Sequence, residues 1–303
     1  MVIKELGQEV DKQGTLLLIR KTDNLSHSPA YTFYVRQMID LIKNKHTYDS
    51  VIWKDDECGI IWAEDQDKIC GIFCYNKSLI SSSKILAIQI TAVDKEYRKR
   101  GIHTILNKYF EQTAKEFGCH LTMASVNPTN QVRLESCKKD GLTLAHYTMY
   151  KKITHKELNL QIDKLDFIHN DILQYSPAYT LFLKIHADLV DQTERYAVSH
   201  WASKNSEILY CTIDNEIVGF INYFDFTGDN QTVTLDICYV DPKFRNNGIF
   251  KLMLQQLENI LAPKGAKYFH SEIPVDSDNG QAKQIFQNTG FIIGFYSLHK
   301  KVS

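Results

Sequence analysis

Proline is scarce in this 303-residue chain, with six in all, and glycine numbers only 14, which excludes collagen-like and proline-rich disordered classes. An excess of one charge is missing too. Lys and Arg total 35 against 36 for Asp and Glu, so no global field draws in nucleic acid or an anionic membrane. No apolar run reaches the length of a signal sequence or a membrane span, and the opening MVIKELGQEVDKQG alternates apolar with charged residues. The expectation is a soluble, cytoplasmic protein with no nucleic-acid or membrane partner. The seven cysteines (Cys58, Cys70, Cys74, Cys119, Cys137, Cys211 and Cys238) are odd in number and never spaced as CxxC. They point to a reducing compartment, with no disulfide framework and no metal site.

What the sequence does contain is repetition. Ser28-Pro29-Ala30-Tyr31-Thr32 returns as Ser176-Pro177-Ala178-Tyr179-Thr180, 148 residues later. Trp53 and Trp201, Gly71 and Gly219, and Tyr75 and Tyr223 keep the same offset. Arg98-x-x-Gly101-Ile102 matches Arg245-x-x-Gly248-Ile249 at 147, and Gly141 matches Gly290 at 149. So many pairs within one residue of one offset imply two copies of a domain of common size. We place them at 1–153 and 154–303.

Each copy reads as a mixed α/β unit. Tyr31, Tyr34, Val35, Met38, Ile39 and Ile42 have the spacing of an amphipathic helix, with Ser28-Pro29 as its start. Ser176-Pro177 opens a second such helix. Two strands then flank a polar turn, Ile60–Ala63 with Ile69–Tyr75 in the first copy and Ile208–Cys211 with Ile217–Tyr223 in the second. A third strand, Ile85–Val93 or Val233–Val240, runs into the Arg-x-x-Gly segment and a second helix, and a further strand, helix and strand complete the copy.

A strand, a short glycine-containing loop and a helix together present backbone N–H groups and a helix dipole to an anion. The loops are Arg98-Lys99-Arg100-Gly101-Ile102-His103 and Arg245-Asn246-Asn247-Gly248-Ile249-Phe250. Each copy also carries an asparagine 11 residues before a glycine, Asn130 with Gly141 and Asn279 with Gly290. Together these features resemble motif A and the following helix of the GCN5-related N-acetyltransferases. The resemblance covers nearly the whole chain as two tandem domains. A weaker one extends to VipF-like bacterial effector acetyltransferases, which would put the protein in a host cytosol with a host protein as partner.

The resemblance implies acetyl-CoA as cofactor and an amine as acceptor. It assigns pyrophosphate binding to the loop residues of both copies, and pantetheine pairing to the strand ends, Val93 and Tyr239-Val240. Asn130, Asn279 and Phe286 complete the implied cofactor contacts. Phe286 and Cys137 occupy the place where many members carry a tyrosine acid. Phenylalanine donates no proton, and Cys137 reads either as a donor or as an apolar core residue. Tyr147, Tyr150 and Tyr296 are the alternatives, with Tyr296 best placed in sequence order. The base position four residues before the strand end is Asp236 in the second copy and Gln89 in the first. Asp236 is either a base inside an apolar strand or a residue on a solvated strand face. Two functions follow, an amine acetyltransferase centred on the second copy, or a CoA-binding or protein-interaction module that has lost its chemistry.

Overall fold

The computed structural model describes residues 2–43, 58–80, 83–154, 162–192, 206–225, 231–275 and 280–302. Trp53, Trp201 and the candidate Asn279 lie outside these residues. Contacts divide the chain into unit 1, Met1–Ala145 with Tyr296–Ser303, and unit 2, His146–Phe295.

In chain order the elements are β1 (Lys4–Val10), β2 (Leu16–Thr22), α1 (Tyr31–Lys43), β3 (Cys58–Asp65), β4 (Lys68–Ile80), β5 (Ser83–Val93), α2 (Ile102–Glu116), β6 (Leu121–Val126), α3 (Gln131–Lys139) and β7 (Thr143–Lys152). The rest are β8 (Leu165–Asn170), α4 (Tyr179–Gln192), β9 (Glu207–Ile213), β10 (Glu216–Asp225), β11 (Thr232–Val240), α5 (Ile249–Leu261), β12 (Tyr268–Pro274), α6 (Gln281–Asn288) and β13 (Ile292–Lys301). No described helix is long and apolar enough to cross a membrane.

The β3–β4 and β9–β10 hairpins each close on two residues with positive φ, Gln66 and Asp67 at 47° and 69°, and Asp214 and Asn215 at 49° and 67°. Such turns match the right-handed twist of the strands they join. The first helices start later than their Ser-Pro signals. Ser28 and Ser176 instead close a turn, in which their hydroxyls accept from Ala30 and Ala178 N–H and their carbonyls from Tyr31 and Tyr179 N–H.

Unit 1 orders its strands β1-β2-β3-β4-β5-β6-β13, and unit 2 orders them β8-β9-β10-β11-β12-β7. All pairings are antiparallel except β5 with β6 and β11 with β12. The last strands are therefore exchanged. β7 follows the first copy in sequence yet pairs with β12, from Tyr268↔Lys152 to Pro274↔His146, while β13 pairs with β6, from Tyr296↔Val126 to Lys301↔Leu121. Met149 of β7 packs in the unit 2 core with Met253, Leu257 and Phe269, and Leu298 of β13 packs in the unit 1 core with Leu106 and Phe110.

Gly59 shows how tight unit 1 is. A Cβ there would lie 2.3 Å from Cζ of Tyr75, a fully buried ring whose hydroxyl donates to Asp23 at 3.0 Å. Gly59→Ala is expected to destabilise unit 1 by about 1–3 kcal/mol, the cost of overpacking. The check is a lower thermal midpoint than wild type.

Candidate active site

The parallel strands of each unit pair only over their first residues. In unit 2 the ladder runs from Thr232↔Tyr268 to Leu235↔Ser271 and then ends, and in unit 1 it runs from Ile85↔Leu121 to Ile88↔Ala124. Among the described residues, the parallel ladder does not continue along Asp236–Val240 in unit 2 or past Gln89 in unit 1. A free edge of this kind receives an extended ligand through main-chain hydrogen bonds.

At the same point β11 carries a bulge. Ile221 pairs with Cys238 and Tyr223 with Leu235, so that Asp236 and Ile237 together face Asn222. In unit 1 the extra residue is Gln89, between Cys74↔Ile90 and Tyr75↔Ile88. A bulge turns a side chain that strict alternation would aim elsewhere. Asp236 is half-buried there. Its Oδ2 is shielded from solvent and has no hydrogen-bond partner.

Two further polar side chains share that face, His270 and Glu272, from alternate positions of β12. His270 is fixed by Thr234 Oγ1 at 3.2 Å from Nδ1 and by the Tyr150 ring at 5.2 Å. Burial pushes the Asp236 carboxyl up to about 6, with the Glu272 charge adding to the rise. Surrounding protein also partly desolvates Glu272, raising its carboxyl although its side chain stays exposed, and burial lowers His270 to about 4, so the imidazole is neutral at physiological pH. Unit 1 has Gln89, Met123 and Ser125 at these places.

Beyond the free edge both units build the same loop. Arg245 Nε donates to Val240 O at 3.1 Å, as Arg98 Nε does to Val93 O at 3.2 Å. These arginines thus shape the turn from the strand end. Asn246 and Lys99 are left-handed, with φ of 66° and 64°, and Gly248 and Gly101 cap α5 and α2 at 79° and 86° with no side-chain cap. The first-turn amides that follow, Ile249-Phe250 and Ile102-His103, are the donors a helix start offers to an anion. Asn247 Nδ2 donates to Phe244 O at 3.4 Å. In unit 1, Arg100 is engaged locally. It donates to Glu96 O, lies over the Tyr97 ring and sits 3.8 Å from Asp11.

The bulky residues after Gly-Ile turn inward and leave the loop open. Phe250 packs on Phe286 at 5.2 Å between ring centres, and His103 stacks on Phe73 with Nε2 2.8 Å from Asp140. Phe286 is core, and Cys137 is fully buried, its thiol pushed up by burial. That places Cys137 on the apolar side of its two readings. Asn130 caps α3, its side chain accepting from Arg133 N–H at 3.0 Å.

The strand exchange carries Tyr296 into unit 1, paired with Val126 against the first core. Its repeat counterpart Tyr147 takes the place in unit 2, where it pairs with Ile273, packs against the core that holds Phe286, and receives Lys283 Nζ over its ring at 4.6 Å. Sequence reasoning missed His270 and Glu272 as well. The signal was the alternation His270-x-Glu272 in an otherwise apolar strand, set against Met123-x-Ser125 in the first copy.

One other group of ligand-type side chains lies together in unit 2, His169, Asp171 and Glu207. His169 Nε2 and Tyr223 both hydrogen-bond Glu207 at 3.0 and 2.9 Å, at the places where unit 1 has Lys21 and Tyr75. The group ties β8 to β9 and β10.

No curated protein sequence matches the chain. Among solved structures it is similar to a GCN5-related N-acetyltransferase from Sphaerobacter thermophilus, with a TM-score of 0.54, 11% identity, and coverage of 94% of this chain and 96% of that one. It is also similar to the glucosamine N-acetyltransferase region of a fungal multi-domain β-N-acetylglucosaminidase, with a TM-score of 0.54, 14% identity, and coverage of 93% and 38%. A tandem protein from the clavulanic acid biosynthesis pathway aligns over 81% and 83% with a TM-score of 0.45 and 11% identity. The profile of the acetyltransferase (GNAT) family matches residues 24–139 and again 175–291. The chain therefore belongs to the GNAT acetyltransferase family, with two copies of its domain in tandem.

Proposed function

We propose that the protein is an acetyl-CoA-dependent N-acetyltransferase acting on a primary amine, with transfer carried out in unit 2. The observation that carries this reading is Asp236, a carboxylate turned by a bulge into the opening between β11 and β12 with one oxygen buried and unpartnered. A base with its carboxyl near 6 is deprotonated at neutral pH and still basic enough to accept a proton from an ammonium. The residues present fit the thioester substrate. The uncapped start of α5 behind Gly248 would hold its pyrophosphate, and the free edge Asp236–Val240 its pantetheine arm.

Bound acetyl-CoA supplies the activated acyl group. Asp236 takes one proton from the acceptor ammonium, so the nitrogen lone pair attacks the acetyl carbon. The N–C bond forms as the C–S bond breaks, and the electron pair leaves on sulfur. Tyr147, beside α6 where Phe286 has no proton to give, would protonate the sulfur and be restored by the second proton, which the nitrogen sheds as the neutral amide forms. Strand-end amides polarise the carbonyl oxygen, and alignment of the two reactants contributes most of the remaining acceleration. Unit 1 keeps the loop but has Gln89 in place of the base, which supports a non-catalytic, cofactor-holding role for that copy.

Mixing the protein with acetyl-CoA and a panel of primary amines, while following release of the free thiol, tests the reading. Amine-dependent release is the expected result. Release no faster than spontaneous hydrolysis with every amine would contradict it.

A further inference from the structure

Among the described residues, the opening in unit 2 has two carboxylates and no cation. Asp236 lies deep, and Glu272 is exposed at the mouth on the same face of the sheet. Among the described residues neither has a lysine or arginine partner, and the only charged neighbour acting on Asp236 is Glu272 itself. The other polar groups around them are Thr234, Tyr150 and His270, the last neutral at physiological pH. On the α4 side of β10 and β11, Phe182 packs on Phe220 at 6.1 Å and Phe220 on Tyr239 at 5.6 Å. The buried, unpartnered Oδ2 of Asp236 separates this pair from an ordinary acidic surface cluster.

A single ammonium does not balance this site. Once it has given its proton to Asp236, the charge of Glu272 at the mouth is left without a cationic partner. An acceptor with a second cationic centre balances it throughout the transfer. We propose that Glu272 and Asp236 form a two-carboxylate subsite that selects a diamine or polyamine acceptor, one amino group reacting at Asp236 and the other held at Glu272. This rests on the acetyltransferase reading of unit 2 and adds the class of amine. Unit 1, with Gln89 and Ser125 at the two places, has no such subsite.

The test compares 1,4-diaminobutane with n-butylamine, which share a chain length and differ in one ammonium. Wild type is expected to show kcat/KM at least tenfold higher for the diamine, and Glu272→Gln to bring the ratio to about one. Equal values in wild type, or an undiminished ratio in Glu272→Gln, would overturn the proposal. Calorimetric titration of 1,4-diaminobutane into the protein without acetyl-CoA keeps the two readings separable. Binding that Glu272→Gln weakens tenfold or more supports the subsite even if no acetyl transfer occurs, a result that would sink only the transferase reading. Absence of diamine binding together with equal turnover of both amines would sink the subsite alone.

Discussion

Asp236→Asn is expected to lower kcat/KM by about 10²–10⁴-fold while making the protein more stable. The activity loss is that of removing a general base. The gain in stability follows from linkage. The folded-state carboxyl, near 6, lies above its ordinary 3.8, so the group favours the folded state when protonated, below about pH 4, and that contribution is lost as pH rises through 6. At pH 8 the ionised Asp236 costs on the order of 2–3 kcal/mol, because each tenfold weakening of the acid on folding is worth about 1.36 kcal/mol. Asparagine has nearly the same shape and never ionises. Thermal melts at pH 8 should show a higher midpoint for the variant, and melts at pH 4 should show little difference. A structural aspartate would give the opposite sign, a loss of stability on substitution, and that result together with unchanged turnover would remove Asp236 as base.

The second large effect is expected at the loop. Gly248 caps α5 at φ 79°, a region where a β-branched residue is strained by about 1–2 kcal/mol. Gly248→Val would shift the backbone to relieve that strain and would also put two methyl groups where the pyrophosphate must approach the amides of Ile249 and Phe250. An increase of about 100-fold in the Kd of acetyl-CoA at unit 2 corresponds to losing roughly two charge-assisted hydrogen bonds. Amine-dependent turnover at subsaturating acetyl-CoA should fall by the same factor. A variant with wild-type affinity would place the phosphate elsewhere.

Much of this was legible in the sequence because it is local. The 148-residue offset between Ser28 and Ser176 required a duplicated domain, and Arg-x-x-Gly between strand and helix required a loop of the geometry found at Gly101 and Gly248. The exchange of β7 and β13 was not legible. Both strands have the same kind of pattern, and neither pattern names the partner across which its hydrogen bonds will form. Sequence order alone therefore ranked Tyr296 above Tyr147, although the exchange puts Tyr296 in unit 1 and Tyr147 in unit 2. His270 and Glu272 escaped for a related reason. Alternating polar residues read as a solvated face until a parallel neighbour with a bulge turns Asp236 toward them. Composition carried no trace of the acidic opening, since two carboxylates disappear in a total of 36.

The transferase reading of unit 2 depends on its binding acetyl-CoA at the start of α5, which calorimetric titration of acetyl-CoA into wild type and Gly248→Val reads without an acceptor. Saturable binding in wild type and loss of the unit 2 site in the variant are the expected results. Isotherms that superimpose, or no heat of binding at millimolar acetyl-CoA in wild type, would contradict that placement.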